Sequence, residues 1–139
     1  MRDPTPQTIY LKDYTPPAFL ISKVDLDVEL FEDHALVRSL LALERNPKGT
    51  VPAAPLVLDG EELQLVSVAM DGRALSGGEF TVDERRLAIA SAPRSFTLET
   101  VTRIQPRKNT KLIGLYGSKD GFFTQCEAEG FRRITWFID

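Results

Sequence analysis

From Lys23 to Leu30 the chain alternates without a break, setting Val24, Leu26, Val28 and Leu30 against Lys23, Asp25, Asp27 and Glu29. A period of two puts every aliphatic side chain on one side of an extended backbone and every charge on the other, as in a strand with one buried and one wet face. Glu32, Asp33 and His34 follow as a polar turn, after which Ala35, Val37, Ser39, Leu41 and Leu43 alternate with Leu36, Arg38, Leu40, Ala42 and Glu44. The two stretches read as an antiparallel hairpin whose second strand is apolar enough to be covered on both faces. No stretch longer than about ten residues keeps a 3.6-residue apolar period without Gly or Pro, so helix should be scarce.

Turn chemistry divides the rest. Residues 46–55, with three prolines and a glycine, form a loop, and residues 56–58 a short strand closed by Asp59 and Gly60. Residues 63–70 form another strand. Asp71 and Gly72 supply the positive φ angles of a tight turn, returning residues 73–75 opposite Val66 and Val68. Gly77 and Gly78 break the chain before residues 80–82 pair with 87–89 across 83–86. Beyond Pro93, Phe96, Leu98, Thr100 and Thr102 alternate with Thr97, Glu99, Val101 and Arg103 in a long strand. Residues 117–121 look like a hairpin tip joining Leu115 and Tyr116 to Phe122 and Phe123. Short strands at near-regular spacing with acidic turns predict an all-β fold, an antiparallel β-sandwich or stacked sheets. Residues 1–17, with four prolines and three threonines, read as an extended N-terminal arm, and residues 18–139 as the sandwich domain. The 139 residues fit one domain around a single core.

Charge excludes some classes of partner. A net charge of -3 and a pI near 5.2, with scattered Lys and Arg, lack the concentrated basic face that a nucleic acid requires. Arg85 with Arg86, and Arg132 with Arg133, read as solvated faces or local ion pairs. A single cysteine leaves no internal disulfide, and no apolar run approaches the ~20 residues that span a membrane. Met1, Arg2, Asp3 and Pro4 are too polar for a signal peptide, so a cytoplasmic home is expected.

The chemistry concentrates near the end, where residues 124–132 (Thr124, Gln125, Cys126, Glu127, Ala128, Glu129, Gly130, Phe131, Arg132) place two acids, an amide and a thiol among small residues. Such a segment is poor core material and suits a loop that offers carboxylates to a cationic or amine-bearing ligand. Gln125 and Glu127, two positions apart, point the same way if the backbone is extended there. Glu129 shares their phase and is free to orient Arg132, whereas Cys126 alternates away and reads as a small buried hydrophobe. His34, at a hairpin tip, is expected in solvent and not in catalysis. The acidic turns at Asp59, Asp71 and Asp120 are separate, where a calcium loop needs several oxygens in one segment. Phe131, Trp136 and Phe137 would fill a core or pack on a following domain.

This segment resembles the amino-recognition loop of the zinc-dependent aminopeptidase N family, particularly its bacterial branch. The likeness extends to Tyr10, Leu11, Lys12, Asp13, Tyr14 and Pro17, to Pro55, Leu56, Val57, Leu58, Asp59, Gly60, Glu61, Glu62 and Leu63, to Asn109, Thr110, Leu115 and Tyr116, and to Ile134, Thr135 and Asp139. The resemblance implies a β-rich N-terminal domain of an enzyme that removes N-terminal residues from peptides. Glu127 would be the anionic partner of the substrate α-ammonium, and Gln125 a neutral wall of the first side-chain pocket. The family's His-Glu-x-x-His helix, its distant Glu ligand and its Gly-x-Met-Glu-Asn strand do not occur in this chain. His34 is its only histidine and Cys126 its only cysteine, so it cannot assemble three or four nitrogen and sulfur ligands for zinc. The resemblance therefore assigns the zinc, the general base and the oxyanion donor to a downstream catalytic domain, and expects this chain alone to be inactive. The sequence ends at Asp139, where the family continues into Arg-Pro, so a sheet incomplete at its C-terminal end is expected. An edge there with Trp136 and Phe137 uncovered would promote self-association. The expected partners are peptide N-termini and the catalytic domain of the same polypeptide. The alternative is a stand-alone, non-catalytic β-sandwich interaction module, and a third reading is a sandwich that binds a small molecule.

Overall fold

The computed structural model describes residues 5–138, and among these the only helical pieces are three 3-10 turns, Leu11–Asp13, Pro106–Lys108 and Gly130–Arg133. The strands are β1 (Phe19–Leu30), β2 (Ala35–Arg45), β3 (Leu56–Asp59), β4 (Gln64–Met70), β5 (Arg73–Ala74), β6 (Thr81–Val82), β7 (Arg86–Ile89), β8 (Ser95–Ile104), β9 (Gly114–Ser118) and β10 (Gly121–Gln125). Five form one sheet in the order β1-β2-β8-β4-β5, three form a second in the order β3-β7-β6, and β9 with β10 forms a separate hairpin. Every pairing is antiparallel, and the molecule is the all-β, stacked-sheet fold that the alternation predicts. Met1 to Pro4 of the expected arm, and Asp139, lie outside the described residues; the rest of the arm is a mostly exposed segment interrupted by the turn at Leu11–Asp13.

Local chemistry explains the turns. Asp71 and Gly72 take φ of 49° and 80°, letting Met70 pair with Arg73 and the Leu75 N–H donate to the Val68 carbonyl at 2.9 Å. Val66 does not join this pairing, because β5 is only two residues long and its register reaches no further than Ala69 opposite Ala74. The Asp83 carboxylate accepts from the Arg85 and Arg86 N–H groups at 2.7 and 2.8 Å and closes the β6–β7 turn. The β9–β10 tip is tighter than expected, since Gly117 pairs with Phe122 and Ser118 with Gly121, leaving only Lys119 and Asp120 to turn.

The inner face of the five-stranded sheet is covered in two parts. Phe19, Leu41, Leu43, Val68, Met70, Phe96 and Leu98 face Leu56, Leu58, Leu87 and Ile89 of the smaller sheet, with Trp136 among them. Toward the other end, Ala35, Val37 and Ile104 pack with Leu115 and Ile134, flanked by Phe122, Cys126 and Phe131. Between these patches Ser39 and Thr100 oppose one another across β2 and β8, buried with Thr102.

Three expectations about burial are corrected. Val24, Leu26, Val28 and Leu30 are 38–48% exposed, although their partners Leu41, Ser39, Val37 and Ala35 on β2 are fully covered. The covering layer stops at β2, and β1 overhangs it. Strand β2 is buried on one face only, with Leu40 and Arg38 on the open side. Trp136 is not uncovered at a C-terminal edge but is 1% exposed, packed so tightly over Gly60 that a Cβ there would lie 2.5 Å from Trp136 Cζ3 and 2.8 Å from Leu63 Cδ1. Phe137 is partly buried and bridged to Asp59, with N–H···O distances of 2.7 and 3.1 Å in the two directions. The long open edge is β1.

Candidate functional site

The hairpin β9–β10 carries the loop of interest on its outgoing strand. Gln125 is the last strand residue, paired with Gly114, and the backbone leaves the sheet at Cys126, so Gln125 and Glu127 do not continue one extended phase. The Glu127–Ala128 peptide is cis. The Gly130 N–H donates back to the Cys126 carbonyl at 2.8 Å, and a Cβ on Gly130 would sit 2.6 Å from the Gln125 carbonyl oxygen and 2.9 Å from Ile113 Cγ2. The loop is therefore closed at its base by a glycine that no larger residue replaces without movement. The following 3-10 turn is stapled to the β3–β4 connection, where the Glu61 N–H donates to the Arg132 carbonyl at 2.9 Å.

Glu127 and Glu129 line a cavity of about 410 Å³ together with Glu61, Lys111, Gly130 and Arg133. A neighbouring recess of about 640 Å³ shares Glu61, Lys111 and Arg133 and adds Glu62, Glu84 and Arg85. Gln125 is exposed at the end of β10 and is not among the residues lining either space. The acids around the first cavity differ in what they hold. Glu61 Oε2 accepts from Arg133 Nη1 at 2.6 Å, Glu62 Oε2 accepts from Arg133 Nη2 at 2.8 Å, and Glu129 Oε2 lies 3.6 Å from Arg132 Nη2. Glu127 is exposed and, among the described residues, has no ion-pair partner within 4.0 Å. A carboxylate left unpaired beside a concave surface is the group that an incoming ammonium can claim by a charge-assisted hydrogen bond.

The other candidates fall into place around it. Glu129 lies within ion-pair distance of Arg132, at 3.6 Å. Cys126 packs with the second apolar patch, and burial pushes its thiol pKa upward, which disfavours a thiolate nucleophile. His34 is more enclosed than a hairpin tip suggests, stacked on Phe31 at 4.6 Å with Nδ1 2.5 Å from Asp33 Oδ1; that hydrogen bond holds the Asp33 carboxyl below its ordinary range. Asp71 is a strap, accepting from the Thr97 N–H at 2.8 Å. Arg133 is the residue that sequence reasoning misses: expected with Arg132 on a solvated face or in a local ion pair, it has a side chain only 5% exposed and pairs with Glu61 and Glu62, far back in the chain. Its signal was faint, a second arginine directly before the apolar run Ile134, Thr135, Trp136. No group of three or more His, Cys, Asp or Glu that could hold a metal ion occurs among the described residues, so they do not fit a zinc centre. No helix among them is long and apolar enough to cross a membrane.

No protein-family model matches the sequence. The chain is 48% identical over 139 residues to the aminopeptidase N of Caulobacter vibrioides, a match that covers 100% of this chain and 16% of that protein. Its structure is similar to that of Legionella pneumophila aminopeptidase A in complex with aspartic acid, with a TM-score of 0.84 at 29% identity over 91% of this chain and 15% of that one. A zinc metallopeptidase of the M1 class from Deinococcus radiodurans shares the fold, with a TM-score of 0.67 at 14% identity over 88% of this chain and 30% of that one. Fold and sequence together match the β-rich N-terminal part of larger aminopeptidases. Within that class, the chain is similar over its whole length to the N-terminal part of aminopeptidase N. It spans about one-sixth of the Caulobacter relative, 16% of its length.

Proposed function

We propose that this chain is the substrate-recognition part of a zinc-dependent aminopeptidase that hydrolyses N-terminal residues from peptides. Glu127 accepts hydrogen bonds from the substrate α-ammonium, and Gln125, one step outside the cavity, forms a neutral wall of the first side-chain pocket. The partners are peptide N-termini and a catalytic domain downstream in the same polypeptide, which brings the zinc, the general base and the oxyanion donor. The observation that carries this reading is the inequality among the acids at the cavity: Glu61 and Glu129 lie within ion-pair distance of arginines, and Glu127, among the described residues, does not. An exopeptidase must fix the distance from a free amino terminus to the scissile bond, and an unpaired carboxylate on a sheet-anchored loop does so at little cost in reorganisation.

The test uses the polypeptide encoded by the complete gene. Glu127→Ala should raise KM and lower kcat together, with a loss in kcat/KM of roughly 10- to 100-fold, the equivalent of one charge-assisted hydrogen bond of about 1.5–3 kcal/mol. Substrates acetylated at the α-amine should be turned over poorly by the parent enzyme and no worse by the variant. Unchanged kinetics in Glu127→Ala would remove the assignment.

A further inference from the structure

We propose that Arg133 is a positioning residue for Glu127, a role that rests on the reading of Glu127 given above. Its guanidinium holds two consecutive carboxylates, Glu61 at 2.6 Å and Glu62 at 2.8 Å. Neighbouring side chains on an extended backbone point to opposite sides. Here they converge because Glu62 takes a left-handed φ of 55°, an arrangement a non-glycine residue keeps only where its surroundings hold it. The β3–β4 connection is therefore bent toward this guanidinium.

The arginine is fixed from its own side as well. Gly114, with φ of 84°, lies so close that a Cβ there would be 2.8 Å from Arg133 Cβ and 3.4 Å from the Gly130 carbonyl oxygen. The 3-10 turn that carries Arg133 starts at Gly130, the residue that closes the Glu127 loop. A guanidinium stays charged at any working pH, so a side chain this buried needs both acids, and both acids are drawn toward it.

The consequence reaches Glu127 through the cavity that Glu61, Glu127 and Arg133 share. With Arg133 present, Glu61 is neutralised and the loop base is pinned. Without it, Glu61 becomes a second free carboxylate in the same space, offers the ammonium a wrong register, and the loop loses its anchor.

A double-mutant cycle in the full-length enzyme tests this. Arg133→Gln is expected to lower kcat/KM by about ten-fold, and the same change made on Glu127→Ala by less than about two-fold, because residues acting through one another are non-additive. Adding Glu61→Gln to Arg133→Gln should recover part of the loss by removing the liberated acid. Melting temperatures of all variants separate folding from function. If Arg133→Gln does not fold, Glu62→Gln, at a more exposed position, enters the same cycle with a smaller loss and the same coupling expected. Equal losses in both backgrounds, or no loss at Arg133, would overturn the positioning role while leaving Glu127 in place. An impaired Arg133→Gln beside an unaffected Glu127→Ala would instead defeat the Glu127 reading, and this role with it.

Discussion

At the scale of single residues, the chain places its chemistry by contrast between neighbours. Arg132 and Arg133 are adjacent, yet one reaches out to Glu129 and the other inward to Glu61 and Glu62. Gly60 shows the same economy, since the Trp136 indole and Leu63 occupy the space that a side chain there would need. Gly60→Ala should cost about 1–3 kcal/mol by overpacking, read as a lower denaturation midpoint with an unchanged slope; an unchanged midpoint would mean that the indole can slide aside. Glu127 was legible as a candidate, because its neighbours Gln125, Cys126 and Gly130 form a recognisable run. Arg133 was not, since its partners lie far back in the chain, at Glu61 and Glu62, and local pattern carries no record of such a meeting.

Among the elements, the hairpins and the stacking of sheets were readable, and the extent of each layer was not. Asp71 with Gly72 and the loop at Asp83 announce their turns because backbone conformation there is set within four residues. Whether the aliphatic row of β1 is covered depends on how many strands the opposing sheet has, which alternation along one strand cannot encode. The connection from β5 to β6 makes a separate point. Glu79 accepts from Arg73 at 2.8 and 3.2 Å and from the Ser76 N–H at 2.8 Å. The Arg73 hydrogen bonds first, and the Ser76 N–H second, lower its carboxyl pKa from 4.5 to about 2. A folded-state pKa below the unfolded one means that the contribution is complete above about pH 4.5 and fades as the pH falls toward about 2. Glu79→Gln should therefore flatten the acid limb of the stability curve in that window, and an NMR titration should place the Glu79 midpoint near 2. A midpoint at the ordinary carboxylate value would show that the loop does not hold this geometry in solution.

Taken whole, the molecule is two sheets and a hairpin tied together at few points. Arg45, at the end of β2, donates to the carbonyls of Ala54 at 2.8 Å and Ala92 at 2.7 Å, on the flanks of the smaller sheet, while lying 4.7 Å over the Phe19 ring. Arg45→Met keeps the stem but strands both carbonyls, and should lower global stability by about 2–4 kcal/mol in equilibrium unfolding; a loss confined to one sheet's amide protection would show the layers to be independent. The β2–β8 pairing carries a further consequence. Ala35 lies beside Ile104 and Glu44 beside Ser95, so of the large sheet a nascent chain leaving the ribosome can close only the β1–β2 and β4–β5 hairpins early, and the sheet waits until β8, which lies between them, has emerged. The segment that bears Glu127 is synthesised later still, and comes to rest on a scaffold whose halves have only just met.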